Sequence, residues 1–110
     1  MCLPTPLLNN KPDLSHIKSC WKKIKPFTKK GQMIILESTT YPGCTEHLFY
    51  GDLEKKFEID KEIFLSYSPE RENPGDENFN FKNTPKVVSG IGDNSLYLCK
   101  ILYNVITILL

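Results

Sequence analysis

Gln32-Met33-Ile34-Ile35-Leu36-Glu37-Ser38-Thr39-Thr40-Tyr41-Pro42-Gly43 is the stretch that decides the fold. Its apolar run is continuous rather than alternating, as a strand covered on both faces of a sheet requires. The run ends abruptly in hydroxyl side chains and a Pro-Gly turn. Upstream, Leu14, Ile17, Cys20, Trp21, Ile24 and Phe27 recur at three- and four-residue spacing, which predicts a helix over residues 14–27. Asp13 is its candidate N-cap, Lys18, Lys22, Lys23 and Lys25 form a solvated face, and Pro26 falls late enough to tighten or fray the last turn. Downstream, Leu48, Phe49 and Leu53 resume helical spacing over 44–57, and residues 63–67 read as a second strand. A polar loop over 68–85, a short strand at 86–89 and a helix from about Asn94 follow. Helix and strand alternating in this rhythm imply right-handed crossovers, hence an α/β fold with a mostly parallel sheet.

Length and composition narrow the function classes. At 110 residues the chain makes one folding unit. With 40% hydrophobic residues it is too apolar for a disordered chain. A net charge of +1, with Arg71 the only arginine, leaves no positive field for nucleic acid. Cys2, Cys20, Cys44 and Cys99 show no C-x-x-C spacing, and His16 and His47 read as exposed helix histidines, so no metal site is expected. Cys44 follows Pro42-Gly43 near a helix start, where a thiol is acidified, yet a plain structural cysteine is the better reading. The start lacks the pattern of a signal peptide, and the apolar end, 101–110, has about half the length a membrane span needs. The expectation is a cytoplasmic chain with reduced thiols and no membrane partner.

In an open parallel sheet ligands bind beyond the carboxyl ends of the strands. Three turns qualify: Pro4-Thr5-Pro6, Glu37 to Gly43, and Ser68-Pro69-Glu70-Arg71-Glu72-Asn73-Pro74-Gly75. Their residue types also suit plain turns. If all three share one rim, Thr5, Ser38, Thr39, Glu70 and Arg71 surround a single crevice with hydroxyls, a carboxylate and a guanidinium, an inventory for polar ligand binding and proton transfer. Glu37 reads as a structural hydrogen-bonding residue beside the Ser-Thr pair.

Cys2-Leu3-Pro4-Thr5-Pro6-Leu7, Pro12-Asp13-Leu14, Leu36 to Gly43, Tyr67-Ser68-Pro69-Glu70-Arg71, Asn73-Pro74-Gly75 and Pro85-Lys86-Val87-Val88-Ser89-Gly90 together resemble the UDP-glucose/GDP-mannose dehydrogenase family, nearest the UDP-N-acetylglucosamine 6-dehydrogenase branch. The resemblance implies the second half of a Rossmann-like NAD-binding domain over residues 1–90, with 91–110 opening a helix toward a central domain. It implies NAD as cofactor, a nucleotide sugar as substrate, and oxidation of the sugar C6 alcohol to a carboxylate by two NAD+ through a cysteine-bound thioester. By the same resemblance Pro4, Thr5, Ser38 and Thr39 bind the cofactor. Thr39 and Glu70 are catalytic, holding and deprotonating a water, and Glu70, Arg71 and Glu72 contact substrate.

Two departures qualify the resemblance. No G-x-G-x-x-G occurs, so the loop that holds a pyrophosphate is missing, and no cysteine lies in the family's nucleophile motif. The expectation is therefore a chain inactive by itself, marginally stable or self-associating through the uncovered edge of the 33–36 strand. Oxidation of UDP-glucose or GDP-mannose is the alternative chemistry, a non-catalytic binding remnant is the alternative class, and a homo-oligomer of the complete enzyme stays open.

Overall fold

The computed structural model describes residues 1–41, 43–69 and 86–109. After a short extended start, the chain forms an antiparallel hairpin from β1 (Leu7–Leu8) and β2 (Lys11–Pro12). Asn9 and Asn10 both take positive φ, +53° and +63°, as the central residues of a mirror-image hairpin turn must. Sequence reading did not anticipate this hairpin.

Helix α1 (Ser15–Ile24) begins where the Ser15 N–H donates to Asp13 Oδ1 at 3.0 Å. It runs into a 3₁₀ turn, Lys25–Phe27, at Pro26, which has no N–H to continue an α-helix. Ile17 and Trp21 are buried, but Ile24 and Phe27, expected on the apolar face, are exposed. The tighter winding takes Phe27 off the stripe, and Ile24 faces an open groove beside the sheet.

The deciding apolar run forms β3 (Met33–Leu36), central to a three-stranded sheet's packing although at its edge. Residues 44–54 are helical: the stretch Glu46–Tyr50 is wound wider than an α-helix, and α2 (Gly51–Glu54) closes it. β4 (Phe64–Tyr67) runs parallel to β3, pairing Met33 with Phe64 and Leu36 with Tyr67. The final strand, β5 (Ser89–Gly90), is antiparallel to β4, so the sheet is mixed rather than mostly parallel. An added antiparallel edge strand is a common departure in such sheets. Here the chain reaches the edge of β4 running back along it, and Ile91 N–H bonding to the Leu65 carbonyl at 2.9 Å extends the pairing.

Helix α3 (Asp93–Leu109) then lies along β4 and β5. A Cβ on Gly90 would come within 2.3 Å of the Leu96 backbone nitrogen, so only glycine permits this approach. The core joins Ile17 and Trp21 to Leu36, Phe49, Leu53, Ile63 and Leu65. Trp21 meets Phe49 edge-on at 4.9 Å, and its Nε1–H donates to Asp52 Oδ2 at 2.8 Å. Burying the indole therefore leaves no orphan donor.

Candidate functional site

The carboxyl ends of the extended start, β3 and β4 reach one rim. Side chains tie them together. The Leu3 N–H donates to Ser38 Oγ at 2.7 Å, and Thr5 Oγ1 donates to the Thr39 carbonyl at 2.7 Å. The Ser68 N–H donates to the Leu36 carbonyl at 2.9 Å, bringing the end of β4 beside the end of β3. The Thr40 N–H donates to the Tyr67 hydroxyl at 3.1 Å. Serine and threonine suit this task, since their short hydroxyls bond the nearby backbone that a turn leaves unpaired.

Between the first two turns lies an open cleft of about 530 Å³, lined by Cys2, Leu3, Pro4, Thr5, Glu37, Ser38 and Thr39. Thr5, Ser38 and Thr39 thus converge, with Ser38 buried and Thr39 exposed. Glu70, Arg71 and Glu72 lie outside the described residues, as does Pro42. His16 and His47 are exposed, and His47 Nδ1 meets the Tyr41 hydroxyl at 2.8 Å.

Glu37 forms the inner wall of the cleft. Its Oε1 accepts from the Tyr103 hydroxyl and its Oε2 from Cys2 Sγ. Burial alone would push the Glu37 carboxyl up. The Cys2 and Tyr103 hydrogen bonds, aided by Lys86 and the chain's amino group, outweigh it and hold the acid below its usual range. The same contact, with burial the larger cause, pushes the Tyr103 phenol up. Lys86 Nζ sits over the Tyr103 ring, 4.9 Å from its centre. The result is an ionised carboxylate facing an open cleft and anchored from behind by α3. Sequence reading gave Glu37 a hydrogen-bonding role but missed Cys2, Lys86 and Tyr103 as its surroundings. A phenol on the buried stripe of an apolar helix was the available signal, because a buried hydroxyl needs a partner.

Strand ends bearing hydroxyls, beside a parallel β3–β4 pair backed by helices, define an α/β domain with its ligand side at the rim. The family model for the "UDP-glucose/GDP-mannose dehydrogenase family, NAD binding domain" matches residues 1–107. The chain therefore belongs to the UDP-glucose/GDP-mannose dehydrogenase family, and the domain it matches is the one that takes NAD. It is 33% identical over 107 residues to a UDP-N-acetyl-D-mannosamine dehydrogenase of Methanocaldococcus jannaschii, covering 94% of this chain and 24% of the relative. It is 41% identical over 91 residues to a UDP-N-acetyl-D-glucosamine 6-dehydrogenase of Pseudomonas aeruginosa, covering 80% of this chain and 22% of that one. Among solved structures, the UDP-N-acetyl-mannosamine dehydrogenase Cap5O of Staphylococcus aureus superposes with a TM-score of 0.83 at 28% identity, over 93% of this chain and 26% of its own. The chain spans about a quarter of the length of the relatives it matches.

The cleft offers hydroxyls, backbone groups and the Glu37 carboxylate, which suit a ribose and a carboxamide. The sequence carries no glycine-rich loop for a pyrophosphate.

Proposed function

We propose that this chain supplies the nicotinamide-side portion, the second half, of the NAD-binding domain in a nucleotide-sugar 6-dehydrogenase acting on a UDP-N-acetylhexosamine. Bound NAD+ supplies the hydride acceptor for oxidation of the sugar C6 alcohol to a carboxylate, two equivalents being needed for four electrons. Pro4, Thr5 and Ser38 shape the cofactor's berth through their backbone and hydroxyl groups. Thr39 adds an exposed hydroxyl that contacts the cofactor and holds the water used in the last, hydrolytic step. Glu70 accepts that water's proton, and Arg71 and Glu72 contact the sugar. General-base help of this kind contributes about 10²–10⁴-fold. Supporting this reading is the coupling of two separate turns into one cleft by the Thr5–Thr39 and Leu3–Ser38 hydrogen bonds. UDP-N-acetylhexosamine is favoured over UDP-glucose and GDP-mannose by the names of the similar proteins.

Alone, the chain is expected to bind NAD+ weakly by its nicotinamide end and not to turn over. Saturation-transfer NMR on the chain with NAD+ is the test. The nicotinamide protons should receive more saturation than the adenine protons, and Thr39→Val should lower that transfer. Equal transfer to both rings, or NADH formed from UDP-N-acetylglucosamine and NAD+ by this chain alone, would contradict the reading.

A further inference from the structure

Among the described residues that line the rim cleft, Glu37 carries the only charged side chain. It directly follows β3, where alternation along the strand puts Leu36 on the α1 side and Glu37 on the α3 side. Two donors meet its carboxylate, the Tyr103 hydroxyl on Oε1 and Cys2 Sγ on Oε2 at 2.6 Å. A neutral amide oxygen would also accept from a phenol, so these bonds alone do not account for a charge at this position. With two lone pairs on each oxygen, the carboxylate keeps acceptor capacity beyond them. It also stands two residues before Thr39, about 7 Å along an extended chain, and both side chains line the same cleft.

We infer that Glu37, held in place by Tyr103 and Cys2, makes the cleft discriminate between the two redox forms of its ligand, binding the positively charged nicotinamide ring more tightly than the neutral dihydronicotinamide. The inference rests on the nicotinamide-side reading of the cleft and adds a preference to it. Hydride addition takes the ring from positive to neutral, so a nearby anion attracts the first form and is indifferent to the second. By linkage, the factor that favours the oxidised form in binding also opposes reduction of the bound ring. The return is in release. Where two NAD+ are taken up in turn, the first NADH must leave before the second NAD+ enters, and weaker holding of the neutral form favours that exchange. The chain's net charge of +1 cannot supply a preference for a cation. Two cations bear on Glu37, Lys86 and the Met1 amino group. Lys86 Nζ also donates to the Pro69 carbonyl at 3.3 Å and lies over the Tyr103 ring. Their opposing charge and the exposure of the cleft hold the expected preference to about threefold, the scale of an exposed charge pair.

The test compares dissociation constants of nicotinamide riboside and its reduced, uncharged form for the 110-residue chain, by amide shift titration read at Thr39. The oxidised form should bind about threefold tighter. Glu37→Gln, which keeps the shape and an acceptor for Tyr103, should bring the two constants together. Should that variant misfold, salt acting on the unaltered chain reads the same charge. Raising sodium chloride from about 20 to about 500 mM should weaken binding of the oxidised riboside and leave the reduced one unchanged. Equal constants for the two forms, or a preference untouched by Glu37→Gln or by salt, would overturn the role of Glu37 while leaving the nicotinamide berth standing. Absence of rim shifts with either form would overturn the berth, and this inference with it.

Discussion

Helix α3 is held by an acid at each end, and the two acids are used differently. At its start Asp60, in a left-handed conformation with φ +71°, accepts from the Ser95 N–H at 2.7 Å, Ser95 Oγ at 2.6 Å and the Asn94 N–H at 3.2 Å. Its own carbonyl accepts from Asn94 Nδ2 at 2.8 Å. Ser95, in turn, is fully buried and its Oγ accepts from the Leu65 N–H. Asp60 is therefore a cap whose oxygens are taken up by the helix start, while Ser95 passes the hold on to β4. Toward the other end, Glu37 accepts from Tyr103 on one oxygen and Cys2 on the other while still lining an open cleft. One acid fixes the helix; the other fixes the helix and keeps a face toward the open cleft.

Breaking the first clasp should cost the most stability. Asp60→Ala removes the cap and strands the buried Ser95 hydroxyl's partnership, an expected loss of about 2 kcal/mol in urea unfolding. A smaller loss, about 1.5 kcal/mol, is expected for Tyr103→Phe, which deletes the hydrogen bond to the Glu37 carboxylate but keeps the ring in place. Equal losses for the two variants would erase the distinction between the clasps.

Acid sharpens the comparison further. Burial pushes the Asp60 carboxyl up, but the hydrogen bonds from Ser95 and Asn94 outweigh it and hold the group below the ordinary aspartate value. Glu37 is likewise held down, by Cys2 and Tyr103 against burial. A carboxyl whose folded pKa is depressed adds stability that is complete above its unfolded value and is lost as pH falls through the folded one. Unfolding midpoints should thus be level above about pH 5 and decline below about pH 4. Asp60→Asn should flatten that decline. The smallest stability effect belongs to Thr39→Ala, expected within about 0.5 kcal/mol because the side chain is exposed. Its effect should fall on nicotinamide binding instead.

Much of this arrangement was legible in the sequence wherever a local pattern carried it. The run at 33–36 gave β3, the spacing of Ile17 and Trp21 gave the buried side of α1, and the hydroxyls after each strand marked the rim. What escaped reading has physical causes. β1 and β2 have two residues each, too few for periodicity, and Asn9-Asn10 lacks the glycine that usually announces such a turn. β5 is equally short, so neither its direction nor the mixed sheet could be read. The Glu37–Tyr103 contact joins positions far apart in the chain, and Asp60 sits in an ordinary polar stretch with nothing to mark its unusual φ. Ile24 and Phe27 kept helical spacing while the backbone changed winding at Pro26, so the pattern overstated the buried face.

Amide shift mapping with nicotinamide riboside, and adenosine monophosphate as the control, most directly tests the claim that the strand-end rim is a nicotinamide berth. Shifts should concentrate at Leu3, Thr5, Ser38 and Thr39 with the riboside and be absent there with the control. Shifts gathered instead around Trp21 and Asp52, or none at the rim at saturating riboside, would contradict the account.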